Sequence, residues 1–486
     1  MQLNELIRDV DGARLRGSGQ TQIAELTIDS RKVAPGALYI CIPGTRVDGH
    51  AFVPQAQAAG AAAILCEREM DTDLPQVIVP DARRAMSTVA ANFYGRPAQG
   101  MKLLAVTGTN GKTSTTYMLK SIAQAAGFKV GLIGTIAVMI GEQTIPSDMT
   151  TPDPIELQRL LRQMADAGVD LVAMEASAHA LYLRKLEGIR FAAAAFTNLT
   201  QDHLDFFGDM AHYLKAKARL FEGDMCEKAV LNLDDEAVRA LAQQVTVPKL
   251  TFSIEGEADL VAKDVEMDVH GSRFTLQEGD RALPVFLRMP GLFAVHNALT
   301  AAGLARAAGI GLEDVVSGLD ALSGVAGRFE VVEHPHAPFS VIVDYAHTPD
   351  GLQNILSTAR TLKHNRILTV FGCGGDRDSK KRPIMGQVAG ELSDLCIATS
   401  DNPRTEDPLA ILEMIRPGLE RAGKPYEMIE NRMEAIKRAI ALAQSGDIVI
   451  IAGKGHEDYQ IVGTQKHHFD DRQAARAALD ARFPKG

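Results

Sequence analysis

The stretch Leu103–Thr116, LLAVTGTNGKTSTT, decides the fold of the central part of this 486-residue chain. Its apolar run Leu103–Val106 predicts a buried strand, which ends in a turn containing Gly108 and Gly111. A helix-compatible run, TSTTYMLKSIAQAA, follows the turn. Strand, glycine turn and helix N-terminus together form a phosphate site, because free backbone N–H groups and the positive end of the helix dipole converge on an anion.

Two side chains strengthen this interpretation of the glycine turn. Lys112 supplies a point charge, and the Thr113 hydroxyl can ligate Mg²⁺. The pattern departs from the usual Gly-x-x-x-x-Gly-Lys-Ser/Thr, because Val106 occupies the position of the first glycine. An ordinary strand–turn–helix corner is the alternative, but Gly-Lys-Thr at such a junction favours phosphate binding.

The bulk composition limits the class of protein. The length suggests roughly three domains of ~150 residues, and 46% apolar residues suffice for packed cores. A net charge of −10 argues against nucleic-acid binding. We expect a cytoplasmic protein without a membrane span, since the N-terminus lacks signal-peptide features and no apolar run approaches ~20 residues. Five cysteines without metal-type spacing fit a reducing compartment.

Residues 1–98 predict a small α/β unit in which short apolar strands alternate with Ala-rich helices. Two polar loops, Thr27–Arg31 and Pro43–His50, adjoin predicted strands and are either functional or ordinary surface turns. The segment Gly95–Gly100 predicts a linker, by its glycine and proline content.

Residues 99–327 alternate strands and helices, which predicts a doubly wound, mainly parallel sheet. Ligands collect at the carboxyl ends of such strands. Glu175 directly follows a buried apolar run, where a carboxylate is costly unless it is paired or metal-bound. It is therefore a candidate Mg²⁺ partner of the phosphate loop, with a helix cap or an ion pair as the alternatives. His203 is a candidate ligand or a structural histidine, and the residues favour neither.

Two helical segments of this region leave alternatives open. His212–Phe221 is dense in cations, and such a run is usually a solvated face. Asn297, near the predicted start of a helix, either binds an adenine edge or caps the helix.

Residues 328–486 contain four strands that each run into a charged loop. Four charged loops on one edge of a sheet predict a site for a zwitterionic or anionic ligand. Cys373, inside one of these loops, has no partner pattern for catalysis and is assigned to packing. The loops are Asp344–Pro349, Gly372–Arg382, Asp401–Arg404 and Lys454–Asp458.

Taken together, these motifs resemble the Mur ligase family of peptidoglycan enzymes. The matching segments, in order, are TGTNGKTS, MEASAHAL, FTNLTQDHLD with a downstream lysine, HNALTA, GRFE and DYAHTPD. Within the family, GGDRDSKKRPIMG, DNPRTEDP and AGKGHEDYQ are similar to the member that adds meso-2,6-diaminopimelate to UDP-N-acetylmuramoyl-L-alanyl-D-glutamate with ATP. The resemblance implies a UDP-substrate-binding domain (1–98), a central ATP-binding P-loop domain (99–327) and a C-terminal Rossmann-like domain for the amino acid (328–486).

The resemblance also implies roles for individual residues. Lys112, His203 and Lys217 would be catalytic, and Lys217 would be carbamylated to N6-carboxylysine. Thr113 and Glu175 would hold one Mg²⁺ ion, and His203 and the Lys217 carbamate would hold a second. The carbamate offers oxygens to the ion, whereas an ammonium would repel it. ATP would be bound by Gly108, Thr109, Asn110, Gly111, Lys112, Thr113, Ser114, Asn297, Arg328 and Asp344.

Two further sets of residues would bind the other substrates. The UDP-substrate would contact Ile28, Ser30, Thr45, Arg46, Val47, Met149, Thr150, Thr151, Ser177, Leu183 and Lys185. Leu183 and Lys185 depart from the family pattern, where Gln and Arg are common. Diaminopimelate would contact Arg377, Asp401, Asn402, Pro403, Arg404, Gly453 and Glu457.

Arg404 is the candidate that selects the amino acid. Diaminopimelate carries one more carboxylate than L-lysine, and a guanidinium binds a carboxylate through two parallel hydrogen bonds. Glu457 is the candidate partner of the distal ammonium. The alternatives are a proline turn with a surface arginine, a ligase that uses L-lysine, a folylpolyglutamate synthase-like ligase, or a P-loop switch or motor. We expect a monomer.

Overall fold

The computed structural model describes residues 1–44, 47–147 and 149–484. Three large β-sheets occupy successive parts of the chain, and a two-stranded hairpin lies near the C-terminus. Within the described residues, no helix has the length and apolar character needed to cross a membrane.

The N-terminal sheet has five strands in the order β1-β5-β4-β3-β2. Strands β2 to β5 are parallel, and β1 pairs antiparallel with β5. The predicted apolar strands of this region are confirmed. The strands are β1 (Arg14–Arg16), β2 (Glu25–Thr27), β3 (Ala37–Ile40), β4 (Ala63–Cys66) and β5 (Gln76–Ile78), and the helices are α1 (Leu3–Leu6), α2 (Val53–Ala58) and α3 (Ala82–Phe93).

The central sheet has eleven strands in the order β16-β15-β14-β13-β12-β11-β6-β10-β7-β8-β9. The strands are β6 (Lys102–Thr107), β7 (Val130–Ile133), β8 (Ala137–Ile140), β9 (Gln143–Pro146), β10 (Leu171–Glu175), β11 (Ala193–Phe196), β12 (Ala229–Asn232), β13 (Lys249–Ser253), β14 (Leu260–Asp268), β15 (Gly271–Glu278) and β16 (Arg281–Leu287). The helices are α4 (Lys112–Ala125), α5 (Pro154–Asp166), α6 (Ala178–Tyr182), α7 (Leu204–Phe207), α8 (Met210–Ala218), α9 (Glu236–Ala242), α10 (Leu292–Ala307) and α11 (Leu312–Ala321).

Strand β6 lies at the centre of this sheet, with parallel neighbours β10 and β11. Its side chains alternate between two cores, because successive residues of a strand point to opposite faces. Leu104 and Val106 pack with α4 and α10, whereas Leu103 and Ala105 pack with α5. Helices therefore cover both faces, as predicted for a doubly wound sheet.

The antiparallel parts of the central sheet were not predicted. β14, β15 and β16 pair antiparallel at one edge, and β8 and β9 do so at the other. The sequence contains a signal for one of these hairpins. Gly279-Asp280 joins β15 to β16, and Gly279 has a φ of 57°, which suits the two-residue turns of hairpins.

The C-terminal sheet has six strands in the order β17-β18-β22-β19-β20-β21. Strands β18, β22, β19 and β20 are parallel, so the four predicted charged loops do lie along one edge. The strands are β17 (Glu330–Val331), β18 (Ser340–Asp344), β19 (Ile367–Phe371), β20 (Leu395–Ala398), β21 (Tyr426–Met428) and β22 (Ile448–Ala452), followed by the hairpin β23 (Tyr459–Val462) and β24 (Gln465–His468). The helices are α12 (Pro349–Thr361), α13 (Lys381–Leu392), α14 (Pro408–Ala422), α15 (Arg432–Leu442) and α16 (Asp471–Arg482).

Candidate functional site

The phosphate loop joins β6 to α4 and requires both of its glycines. Gly108 has a φ of 139°, and a Cβ there would lie 1.8 Å from the Thr197 Oγ1 atom. Gly111 has a φ of 88°, and a Cβ there would lie 2.1 Å from Asn297 Oδ1. Only glycine fits these two positions, and α4 begins immediately afterwards at Lys112.

Lys112 lies folded over this loop. Its Nζ donates to the carbonyl oxygens of Gly108 at 3.0 Å and Thr109 at 2.9 Å. Burial lowers the pKa of Lys112, while the nearby carboxylates of Glu175 and Asp202 oppose that shift. The structure thus holds a cation at the helix N-terminus, where a bound phosphate would need one.

Glu175 and Thr113 lie together at the other side of the loop, as predicted. Thr113 Oγ1 donates to Glu175 Oε1 at 3.0 Å, and both residues are buried. Thr135 donates to the same carboxylate through its backbone N–H at 2.9 Å and its hydroxyl at 3.0 Å. Glu175 is therefore neither a helix cap nor an ion-pair partner among the described residues.

This pair fits a Mg²⁺ site that a nucleotide would complete. The described residues contain no group of three or more His, Cys, Asp or Glu that could hold a metal ion alone. Mg²⁺ bound with nucleotides commonly takes one or two carboxylates, with phosphate oxygens and waters as its other ligands. The Thr113 hydroxyl and the Glu175 carboxylate supply suitable oxygens beside the phosphate loop.

Lys217 is a second buried lysine beside this loop. Its Nζ lies 2.6 Å from the Gly108 carbonyl oxygen and 4.4 Å from the centre of the Tyr213 ring. Burial lowers its pKa well below the usual value, and the charge of Lys112 adds to this effect. The segment His212–Phe221 is therefore not simply a solvated face, because Lys217 is buried whereas Lys215 is exposed.

His203 lies close enough to Lys217 for the two charges to interact, and it lines a cavity beside the phosphate loop. It has a φ of 55°, and its Nε2 lies 3.3 Å from Asp202 Oδ2. Its ring packs edge-on against His179 with centroids 4.8 Å apart. Burial lowers the pKa of His203, although Asp202 opposes this shift. A neutral imidazole is the form that can bind a metal ion.

Asn297 and Asp344 occupy the predicted nucleotide side of the cavity. Asn297 lies in the second turn of α10, so it does not cap that helix. The Asp344 carboxylate accepts from the backbone N–H groups of Phe329 at 2.7 Å and Ala346 at 2.8 Å. Burial raises the pKa of Asp344.

The C-terminal region contacts the phosphate loop directly. Arg328 Nη2 lies 3.3 Å from Thr113 Oγ1, and its guanidinium stacks 4.6 Å from the centre of the Tyr345 ring. Asp350 Oδ2 accepts from Asn110 Nδ2 at 2.5 Å and from Thr200 Oγ1 at 3.2 Å. A cavity of about 530 Å³ lies between the two regions, lined by the loop and by these residues.

The second cluster lies at the edge of the C-terminal sheet, around Asn402. Asn402 Nδ2 donates to Glu457 Oε2 at 2.9 Å, and its Oδ1 accepts from Lys454 Nζ at 3.1 Å. Asp401 and Asn402 are both buried. Lys454 is fully buried and was missed by the sequence analysis, although its loop was identified.

Arg404 lies beside this cluster in a left-handed conformation with a φ of 51°. Its Nη1 donates to the carbonyl oxygens of Gly375 at 2.9 Å and Asn402 at 3.4 Å. Pro403 precedes it and is buried, and Arg377 is exposed. A Cβ at Gly453 would lie 2.5 Å from Asp401 Oδ2, so this loop requires glycine.

The residues predicted for the UDP-substrate lie in two groups. In the central region, Thr151 Oγ1 donates to the Glu175 carbonyl oxygen at 2.8 Å and lies 3.2 Å from Ser177 Oγ. Lys185 Nζ lies 2.7 Å from Asp153 Oδ1. Thr150 hydrogen-bonds Thr135, Leu183 is the C-cap residue directly after α6, and Met149 is exposed. In the N-terminal region, Ile28 and Val47 are exposed and Ser30 bonds Gln55, whereas Thr45 and Arg46 lie outside the described residues.

Comparison with known protein families covers most of the chain. Residues 22–94 match the Mur ligase family catalytic domain, residues 106–305 the Mur ligase middle domain, and residues 327–455 the Mur ligase glutamate ligase domain. The UDP-N-acetylmuramoyl-L-alanyl-D-glutamate--2,6-diaminopimelate ligase of Syntrophomonas wolfei subsp. wolfei is 45% identical over 99% of both chains. The chain belongs to the Mur ligase family.

Further Mur ligases agree with this assignment. The enzyme of the same name from Geobacillus thermodenitrificans is 44% identical over 99% of this chain and 100% of its own. A solved structure of a UDP-N-acetylmuramoyl-L-alanyl-D-glutamate--2,6-diaminopimelate ligase is 33% identical, covers 100% of both chains and has a TM-score of 0.72. MurF ligase from Thermotoga maritima, solved with ADP, shares only the fold, at 20% identity, a TM-score of 0.62 and coverage of 89% and 94%. The predicted family and the three-domain α/β fold are confirmed.

Proposed function

We propose that the chain is an ATP-dependent ligase that adds meso-2,6-diaminopimelate to UDP-N-acetylmuramoyl-L-alanyl-D-glutamate. The observation that carries this proposal is the 45% identity, over the full length, to a relative of that name. The two clusters described above fit it, since one suits a nucleotide and the other a zwitterion. We place the reaction in the cytoplasm and expect a monomer.

We assign one substrate to each of the three regions that contain a large sheet. Residues 1–98 would bind the UDP end of the substrate, residues 99–327 the ATP, and residues 328–486 the amino acid. Support comes from the separate sheets of these segments and from the position of the cavity between the last two. Asn297, Arg328 and Asp344 would hold the nucleotide against the phosphate loop.

The reaction must first activate a carboxylate, because a carboxylate is a poor electrophile for an amine. The γ-carboxylate of the substrate's D-glutamate attacks the terminal phosphorus of ATP, forming an acyl phosphate and releasing ADP. The diaminopimelate amine then attacks the carbonyl carbon, the new C–N bond forms, phosphate leaves and the amine loses a proton. Lys112 would offset the charge on the transferring phosphoryl group.

Bound Mg²⁺ would supply further neutralisation of phosphate charge. Thr113 and Glu175 would hold one ion, and His203 and Lys217 a second. Lys217 would act as a carbamate formed with CO₂. Two observations support this modification. Burial lowers the pKa of Lys217, which favours the neutral amine that reacts with CO₂. Among the described residues, the Lys217 amine forms no ion pair.

The cluster around Asn402 would bind diaminopimelate. Arg404 would take the distal carboxylate, and Asp401, Asn402 and Glu457 the distal ammonium. Gly453 and Pro403 would shape these loops, and Arg377 would reach the amino acid from the exposed side. The alternative function is the same reaction with L-lysine. It would leave the Arg404 guanidinium without a carboxylate partner, which is costly in a partly buried site.

A phosphate-release assay with ATP, Mg²⁺ and UDP-N-acetylmuramoyl-L-alanyl-D-glutamate tests the proposal. Each candidate amino acid is added separately. We expect release with meso-diaminopimelate and very little with L-lysine. Release without any amino acid, or without the UDP-substrate, would instead indicate an ATPase, and preferred use of L-lysine would identify the alternative function.

A further inference from the structure

Lys454 is a fully buried ammonium that no role above uses. Its Nζ lies 3.1 Å from Asn402 Oδ1, 3.1 Å from Glu457 Oε2 and 3.8 Å from Asp401 Oδ1. Its exposed fraction is 0%. A cation buried this completely between two carboxylates sets the local charge, because water does not screen it.

The charges around Asn402 add up to zero. Asp401 and Glu457 each contribute −1, and Lys454 and Arg404 each contribute +1. All four belong to one connected group, since Lys454, Glu457 and Arg404 each hydrogen-bond Asn402 and Asp401 precedes it in the chain.

The fully buried arginines near this group are paired and do not change this sum. The buried Arg432 forms two 2.7 Å bonds to Asp471, so that pair is neutral. The buried Arg382 is likewise paired with Glu406 at 2.8 Å. Lys381 and Arg328 also lie within electrostatic reach of this region, but both are partly exposed, and Arg377 and Asp376 are exposed, so solvent screens these four charges.

A pocket with zero net charge suits a ligand end that is neutral overall better than a ligand end that carries a charge. The distal end of diaminopimelate carries an ammonium and a carboxylate and is neutral overall, whereas the distal end of L-lysine is +1. Lysine would therefore leave one buried positive charge uncompensated, which is costly. Without Lys454 the sum would be −1, which suits lysine.

We propose that Lys454 is a specificity-determining residue, whose buried ammonium brings the charge of the amino-acid pocket to zero and so favours a zwitterionic side-chain end over a cationic one. This assignment rests on the proposed function. It makes Lys454 a second determinant of selectivity beside Arg404, although Lys454 need not touch the added carboxylate.

The test compares Lys454→Met with wild type, using kcat/KM for meso-diaminopimelate and for L-lysine. We expect the ratio of the two values to fall by roughly 100-fold, since the variant loses charge balance for one ligand and gains it for the other. The loss should appear in KM for diaminopimelate, with KM for ATP little changed. Equal losses with both amino acids, or an unchanged ratio, would overturn the assignment.

A second set of variants keeps the test decisive if Lys454→Met folds poorly. Glu457→Gln leaves a sum of +1, and the double variant Lys454→Met/Glu457→Gln returns it to zero. We therefore expect the double variant to use diaminopimelate better than Glu457→Gln alone. A merely structural lysine predicts the opposite order, and thermal unfolding of all variants checks their folding.

The proposed function and this assignment fail in different ways. A wild-type protein that does not use diaminopimelate would overturn both. A wild-type protein that does use it, together with a double variant worse than Glu457→Gln, would overturn only the role of Lys454.

Discussion

The phosphate loop and the proposed amino-acid pocket around Asn402 are built in different ways. One continuous stretch, β6 to α4, forms the first, and two glycines fix its shape. Loops after three separate strands, β19, β20 and β22, form the second, and their polar and charged groups hydrogen-bond one another. A site made by one local segment is visible in the sequence, whereas a site made by long-range contacts is visible only as scattered polar loops.

Their electrostatics differ as well. Lys112 and Lys217 donate to backbone carbonyl oxygens and form no ion pair with the described residues. Lys454 instead lies between two carboxylates. The Lys112 ammonium is therefore available to offset the charge of a phosphate, whereas the charges around Asn402 are already balanced and suit a ligand of zero net charge.

The largest effect is expected from a substitution at the phosphate loop. Lys112→Ala should lower kcat for phosphate release by roughly 10³-fold or more, because stabilisation of developing charge is often the largest catalytic contribution. Lys120→Ala, on the same helix but outside the cavity, is the matched control. A folded Lys112→Ala protein with near-normal activity would refute the phosphate-loop assignment.

Lys217→Ala should be nearly inactive, and acetate should restore part of the activity by supplying the missing carboxylate. Lys215→Ala, exposed on the same helix, should resemble wild type. The carbamate forms only from the neutral amine, so lowering the pH or removing CO₂ should reduce wild-type activity, and bicarbonate should restore it. Activity at the wild-type level in Lys217→Ala would rule out the role.

Arg404→Ala removes a guanidinium from the proposed amino-acid pocket around Asn402. We expect kcat/KM for diaminopimelate to fall by roughly 10³-fold, because only this ligand carries the distal carboxylate. The weak activity with L-lysine should stay the same or rise, because the pocket charge becomes −1. Arg416→Ala serves as the control, because Arg416 is a partly exposed arginine on α14 that pairs locally with Glu413. Equal losses with both amino acids would mean that Arg404 supports the fold or the ATP step.

The smallest expected effect lies at the contact between the two regions. Asp350→Ala removes the acceptor of the Asn110 and Thr200 hydrogen bonds and should reduce kcat/KM for ATP by roughly 10-fold. Gln353→Ala, exposed on the same helix, should have no effect. Kinetics for ATP identical to wild type in Asp350→Ala would show that this contact does not support nucleotide binding.

The difference between a site made by one local segment and a site made by long-range contacts explains which features could be predicted from the sequence. The β6–α4 corner, the pairing of Thr113 with Glu175 and the shared edge of the four charged loops follow from strand order and local turns. Lys454 could not be identified as buried, because its burial depends on contacts such as that with Asn402, which is 52 residues away in the sequence. The antiparallel edges of the central sheet were missed because exposed edge strands lack a continuous apolar run.

One measurement tests the central claim most directly. The protein is given equal concentrations of meso-diaminopimelate and L-lysine with ATP, Mg²⁺ and UDP-N-acetylmuramoyl-L-alanyl-D-glutamate, and the products are identified by mass spectrometry. We expect one product, with a single diaminopimelate added and one phosphate released for each molecule formed. A lysine adduct as the main product, or phosphate release with no adduct, would contradict the account.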